Sequence, residues 1–75
     1  MEIDIHAPEP SYLQLAAKLR ARITSGEFGS RDRLPSIKTL TQETGLAVGT
    51  VRKAIGVLVD EGLAYTVSGR GTFVR

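Results

Sequence analysis

In the stretch AVGTVRKAIGVLVDE, residues 47–61, two small residues and two cations recur on one side of a helical repeat: Gly49, Arg52, Lys53 and Gly56. At ~100° per residue they centre roughly opposite Val51, Ala54, Ile55 and Leu58, an apolar stripe at i, i+3, i+4 and i+7. Guanidinium and ammonium groups are donors without acceptors, and the partners they suit are phosphate oxygens and base edges. The glycines would let a helix backbone come close to a groove floor. The chemistry implied is recognition of a polyanion rather than the making or breaking of bonds. Gly56 is also compatible with a neutral surface position in a helix held by tertiary contacts.

The remaining reactive side chains support no other chemistry. There is no cysteine, which excludes disulfide frameworks and thiolate metal sites, and the lone His6 stands in a polar leader. Asp60 and Glu61 are adjacent and diverge on a helix, so no paired acid and base is formed. No enzyme activity, metal or cofactor is expected. The leader MEIDIHAPEP lacks a basic start followed by an apolar run, and the longest aliphatic run, AIGVLV, is far too short to span a bilayer. The expectation is a soluble, cytoplasmic protein that does not engage a membrane.

Charge sharpens the picture through its placement. The net charge is only +2. Residues 1–30 are slightly acidic, residues 31–75 are clearly basic, and no carboxylate occurs from Thr44 to Val59. The candidate reading face thus carries nothing that repels phosphate, although solubilising charges alone would give a similar count.

A sequence of 75 residues holds one small domain whose stability must come from packing. Tyr12, Leu15, Ala16, Leu19 and Ile23 recur at three- and four-residue steps, predicting a first amphipathic helix with Pro10 in its first turn and Gly26 as its stop. The segment EFGSRDR connects, with Phe28 as a small apolar plug. Leu34-Pro35 is extended, Ser36 is a fitting N-cap, Ile37, Leu40 and Thr41 share one face, and Gly45 ends a short second helix. The third helix runs from about Ala47 to Glu61. After Gly62 the pattern changes to alternation: Leu63, Tyr65 and Val67, a Ser68-Gly69-Arg70-Gly71 turn, then Thr72-Phe73-Val74. Leu63, Val67 and Phe73 are expected to pack on the helices. Tyr65 and Phe73 offer base stacking as a second role, but their alternation suits burial better. The fold class is mostly α with a small β-hairpin: three helices and a two-stranded wing, residues 10–75, behind a flexible acidic leader, residues 1–9.

A helix pair joined through a tight Gly-containing turn can lay its second helix in a DNA major groove, with the hairpin on the flanking backbone or minor groove. The chain resembles the amino-terminal domain of GntR-type winged helix-turn-helix transcription regulators over nearly all of residues 10–75. The resemblance rests on PSYLQLAAKLRARI, SGEF, LPS, TG, TVRKAI and GLAYTVSGRGTFV in this order and spacing. It departs where the family usually has Pro-Gly and this chain has Ser30-Arg31. It departs again where Ala47-Val48 replaces a common Ser-Arg, removing a capping hydroxyl and a base-reading guanidinium. Lys38 stands where an Arg is frequent.

The resemblance implies that Lys38 and Arg52 contact the DNA backbone or guanine edges and that Thr50 donates to a phosphate or base. It further implies close approach at Gly49, apolar reading of a thymine methyl by Val48, and a wing tip, Ser68, Gly69 and Arg70, in the neighbouring minor groove. Lys53 points to the same side and is either a contact or solvated. The implied partner is double-stranded DNA carrying a two-fold symmetric operator, bound by a bacterial regulator, a repressor by family habit, acting as a homodimer. Dimerisation and a small-molecule effector belong, in that family, to a carboxy-terminal domain beyond Arg75. The rival is a winged-helix protein-interaction module without direct DNA readout, which requires an outward apolar patch on the third helix.

Overall fold

Pro10 closes the leader with φ −57° and ψ 145°, and its carbonyl accepts from the amides of Leu13 and Gln14. It therefore stands at the cap, one place ahead of the first turn, and α1 runs Ser11–Thr24. In this computed structural model, which describes residues 1–75, α1 is followed by α2 (Ile37–Thr44), α3 (Val48–Asp60), β1 (Ala64–Val67) and β2 (Gly71–Val74). The mostly helical fold with a two-stranded hairpin is the one the periodicities predict.

Each boundary has a local cause. Ser36 Oγ accepts from the Thr39 amide at 3.0 Å, satisfying one of the donors that a helix start leaves over. Gly45 ends α2 at φ 74°, a left-handed value that a Cβ disfavours, and its amide bonds the Thr41 carbonyl at 2.8 Å. Two residues later Ala47 opens α3 with no side-chain cap, as its missing hydroxyl requires. Thr44 holds the turn instead, donating to the Leu40 carbonyl and accepting from the Leu46 amide.

The apolar stripes meet in one core. Leu15, Ala16 and Leu19 of α1, Leu40 of α2 and Val51, Ala54, Ile55 and Leu58 of α3 are buried, joined by Leu34, Ala64 and Val74. Every buried side chain is apolar. At about 1.5–3 kcal/mol for each large aliphatic removed from water, these few residues supply most of the driving force. Central α3 packs against α1, α2 and β1. Arg20 adds a clip, with Nε and Nη2 donating to Glu61 at 2.9 and 2.7 Å, so α1 is tied to the end of α3. That hydrogen bond, with the carboxylate's charge, outweighs desolvation and raises the Arg20 pKa above its ordinary value.

Three features correct the expectations. The hairpin face is inverted: Ala64 and Val74, a cross-strand pair, are buried against the helices, whereas Phe73 pairs and stacks with Tyr65 on the other face, centroids 5.8 Å apart, with both rings half-buried. Val67 shares that outer face with Tyr65 by strand alternation. Leu63 does pack on the core. The pairing Ala64↔Val74 sets the register, and one residue of slip exchanges the two faces of a strand.

The connection before α2 forms a third line of pairing. Arg31 and Leu34 donate to the carbonyls of Val74 and Thr72 at 2.7 and 2.8 Å, Val74 donates back to Asp32 at 2.9 Å, and Arg33 bridges Phe73. This covers the second edge of β2 and anchors the base of the wing to the start of α2.

The acidic leader, expected to be flexible, lies on α1. Gln14 clamps it by accepting from the Asp4 amide and donating to the carbonyls of Asp4 and Glu9, and Met1 and Ile3 pack on the core. The apolar residues between its acids give it something to bury.

Candidate nucleic-acid interface

α3 turns its stripe inward, so its first two turns carry the exposed residues Val48, Gly49, Arg52 and Lys53 with half-buried Thr50. Val48 is 49% exposed, which leaves its methyls free at the start of the helix. A Cβ built on Gly49 or Gly56 would meet nothing within 4 Å, so neither glycine is required by a neighbour inside the molecule. The bare backbone there is available to an outside partner.

The other predicted residues come from two flanking elements. Lys38, in the first turn of α2, and Ser68, Gly69 and Arg70 at the wing tip line one groove between them. Arg52 lines the adjoining groove between α3 and the wing with Gly56, Thr66 and Thr72, and the two grooves share Ile37 and Ile55 as floor. Lys38, Arg52 and Arg70 thus surround one continuous concave surface, with Val48, Gly49 and Thr50 at the exposed start of α3. The pairing of Arg31–Leu34 with β2 holds this wing in place.

Lys53 is placed differently from its neighbour. Its ammonium lies 4.2 Å from the centroid of Tyr12, a cation–π contact with α1, so it borders the surface on the α1 side rather than facing the wing.

Electrostatically the surface is one-sided. The two ion pairs, Arg20–Glu61 and Arg22–Glu27, use cations of α1, and no carboxylate lies within 4 Å of Lys38, Arg52, Lys53 or Arg70. Asp60, at the far end of the Arg52 groove, is the one acidic residue lining either groove. The first-turn amides of α3 also lack a side-chain acceptor, which leaves the positive end of that helix dipole directed outward. No group of three His, Cys, Asp or Glu side chains gathers where a metal ion could be held. No helix is long and apolar enough to cross a membrane.

The sequence alone does not mark Arg33 as part of this surface. It lines the groove of Lys38 and Arg70, its backbone bridged to Phe73. The run SRDR carries no strand periodicity, and only the long-range pairing with β2 reveals where its side chains fall.

Known proteins with this pattern agree with one another. Residues 11–74 match the family model described as bacterial regulatory proteins, gntR family. The chain is 40% identical over 74 residues to the HTH-type transcriptional repressor NagR of Bacillus subtilis (strain 168), covering 99% of this chain and 30% of NagR. It is 36% identical over 67 residues to the mannosyl-D-glycerate transport/metabolism system repressor MngR of Escherichia coli (strain K12), covering 89% of this chain and 28% of MngR. The chain therefore spans under a third of the length of these curated relatives. Among solved structures, AraR(DBD) in complex with operator ORX1 superposes with a TM-score of 0.94 at 34% identity, covering 100% of this chain and 95% of that one. YtrA from Sulfolobus acidocaldarius, a GntR-family transcription factor, gives 0.87 at 38% identity over 97% of this chain and 77% of YtrA. With its helices, its wing and nearly its whole length accounted for, the chain belongs to the gntR family of bacterial regulatory proteins and has the winged helix-turn-helix fold.

Proposed function

We propose that this chain is a sequence-specific reader of duplex DNA in a bacterial transcription regulator, acting as a repressor. The amino-terminal half of α3 enters the major groove and the wing tip reaches the adjacent minor groove. The observation that carries this is the concave cationic surface: Lys38, Arg52 and Arg70 around the open backbone of Gly49 and Gly56, with Val51, Ala54 and Leu58 of α3 buried behind it and Ile55 reaching only its floor.

The roles divide by chemistry. Lys38 and Arg70 hold phosphates or the minor-groove edge and set register, while Arg52, Thr50 and Val48 read bases, Val48 by apolar contact with a thymine methyl. Ala47-Val48 in place of Ser-Arg shifts the preference of the first turn away from guanine. One small domain makes few ionic contacts, so two copies on a two-fold operator supply the affinity, with dimerisation and metabolite sensing in the remainder of a longer cytoplasmic protein. Kinship with proteins named as repressors and with an operator-bound domain supports this reading. The protein-interaction alternative needs a contiguous apolar patch, whereas the exposed large apolar residues of α3 are only Val48 and Val59, nearly the full length of the helix apart.

The test is Arg52→Ala against a duplex selected from a random pool. The expected loss is about 1–3 kcal/mol of binding free energy with an unchanged thermal melt. Unchanged affinity would refute the assigned orientation of α3.

A further inference from the structure

We infer that Arg33 is a further phosphate-binding residue, gripping the DNA backbone where it passes between the start of α2 and the wing. The inference rests on the DNA-binding reading above and adds a contact to it.

Three observations converge. The backbone of Arg33 is fixed by its bridge to Phe73, and its neighbour Leu34 is buried and bonded to the Thr72 carbonyl, so the side chain starts from a rigid base. Its guanidinium lies against Gly71: a Cβ there would stand 2.9 Å from Nε and 3.4 Å from Nη2. Gly71 sits at φ 124°, a conformation that favours glycine, and its bare Cα lets the guanidinium lie directly over the strand. Finally, the guanidinium has no carboxylate within 4 Å and no hydrogen-bond acceptor in the protein, although Asp32 is its immediate neighbour in sequence; that carboxylate accepts from the Gly29 amide instead.

A cation seated by shape but left without an acceptor has its donors available to a ligand. It lines the groove of Lys38 and Arg70, and no acidic residue lines that groove. Lys38, Arg70 and Arg33 together make a three-cation cradle around a glycine-lined strand, which fits the spaced charges of one phosphodiester strand.

The contact is independent of base sequence, so it can be tested on mixed-sequence duplex as well as on a selected operator. Binding of the wild type, Arg33→Gln and Arg33→Lys is followed by fluorescence anisotropy between about 50 and 200 mM salt. Arg33→Gln is expected to bind both duplexes about five- to ten-fold more weakly, with the slope of log K against log[salt] smaller by about 0.9, the loss of one phosphate contact. Arg33→Lys, which keeps the charge, should retain the slope, and both variants should melt with the wild type by circular dichroism. A wild-type slope in Arg33→Gln, or a lost slope in Arg33→Lys, would overturn the role of Arg33 while leaving DNA binding intact. Absence of any salt-dependent duplex binding by the wild type would instead remove the reading on which it rests.

Discussion

Arg31 shows how one residue can preserve a turn made for another. It holds φ 71°, where an L side chain is disfavoured by about 1–2 kcal/mol, and it does so where the family usually has glycine. The flanking pairing explains how the strain is tolerated: its amide bonds the Val74 carbonyl at 2.7 Å, and the residues after it continue the ladder. Arg31→Gly should therefore raise stability by about 0.5–1 kcal/mol in chemical denaturation, strain relief being partly offset by the greater freedom of glycine in the unfolded chain. A loss of stability would mean that the arginine side chain itself supports the loop. At the same scale Arg52 and Lys53, consecutive cations in sequence, have different fates. Lys53 is engaged with the ring of Tyr12, at a site where such contacts contribute about 0.5–1 kcal/mol, while Arg52 faces the groove without a partner.

At the scale of elements, α3 has a buried face that holds the fold and an open face that the proposed function assigns to DNA. Leu58 is fully buried. Leu58→Ala should lower stability by about 2–5 kcal/mol through the lost transfer energy and the cavity left behind, while DNA binding of the fraction that remains folded is unchanged. Denaturation melts and binding titrations on the same preparations separate that outcome from a direct contact. The helices were legible because each carries its own period and punctuation: the stripe of α3, the Ser36 cap, the Gly45 stop. What could not be read locally came from pairing at a distance. The strand face depends on a register that places Ala64 opposite Val74, and Leu63, Tyr65 and Val67 suggested the opposite face because Leu63 meets the core from just outside the strand. The line from Arg31 to Leu34 along β2 has no periodic signature at all. The leader looked loose by charge, yet Gln14, an unremarkable residue of α1, holds it through three hydrogen bonds.

At the scale of the molecule, a core of 11 buried residues holds the three elements of the proposed interface in a fixed relation. Most predicted contact residues fall on one surface because α2, α3 and the wing converge there; the cation they omitted, Arg33, belongs to the connection that ties these elements together. The charge distribution follows the same division. Both ion pairs draw their cation from α1 and the acidic leader lies on that helix, whereas Lys38, Arg52, Lys53 and Arg70 of α2, α3 and the wing make no ion pair. Such an arrangement steers the molecule, so that the leader side faces away from a polyanion while the concave side meets it. The most direct test of this orientation is an NMR titration of the isotopically labelled chain with duplex DNA at low salt, following every backbone amide. The account predicts that the largest shifts fall on Val48–Lys53, Lys38 and Ser68–Arg70, with Ala17, Lys18 and Ala21 on the outer side of α1 unmoved. Shifts concentrated on α1 and the leader, with the start of α3 silent, would contradict it.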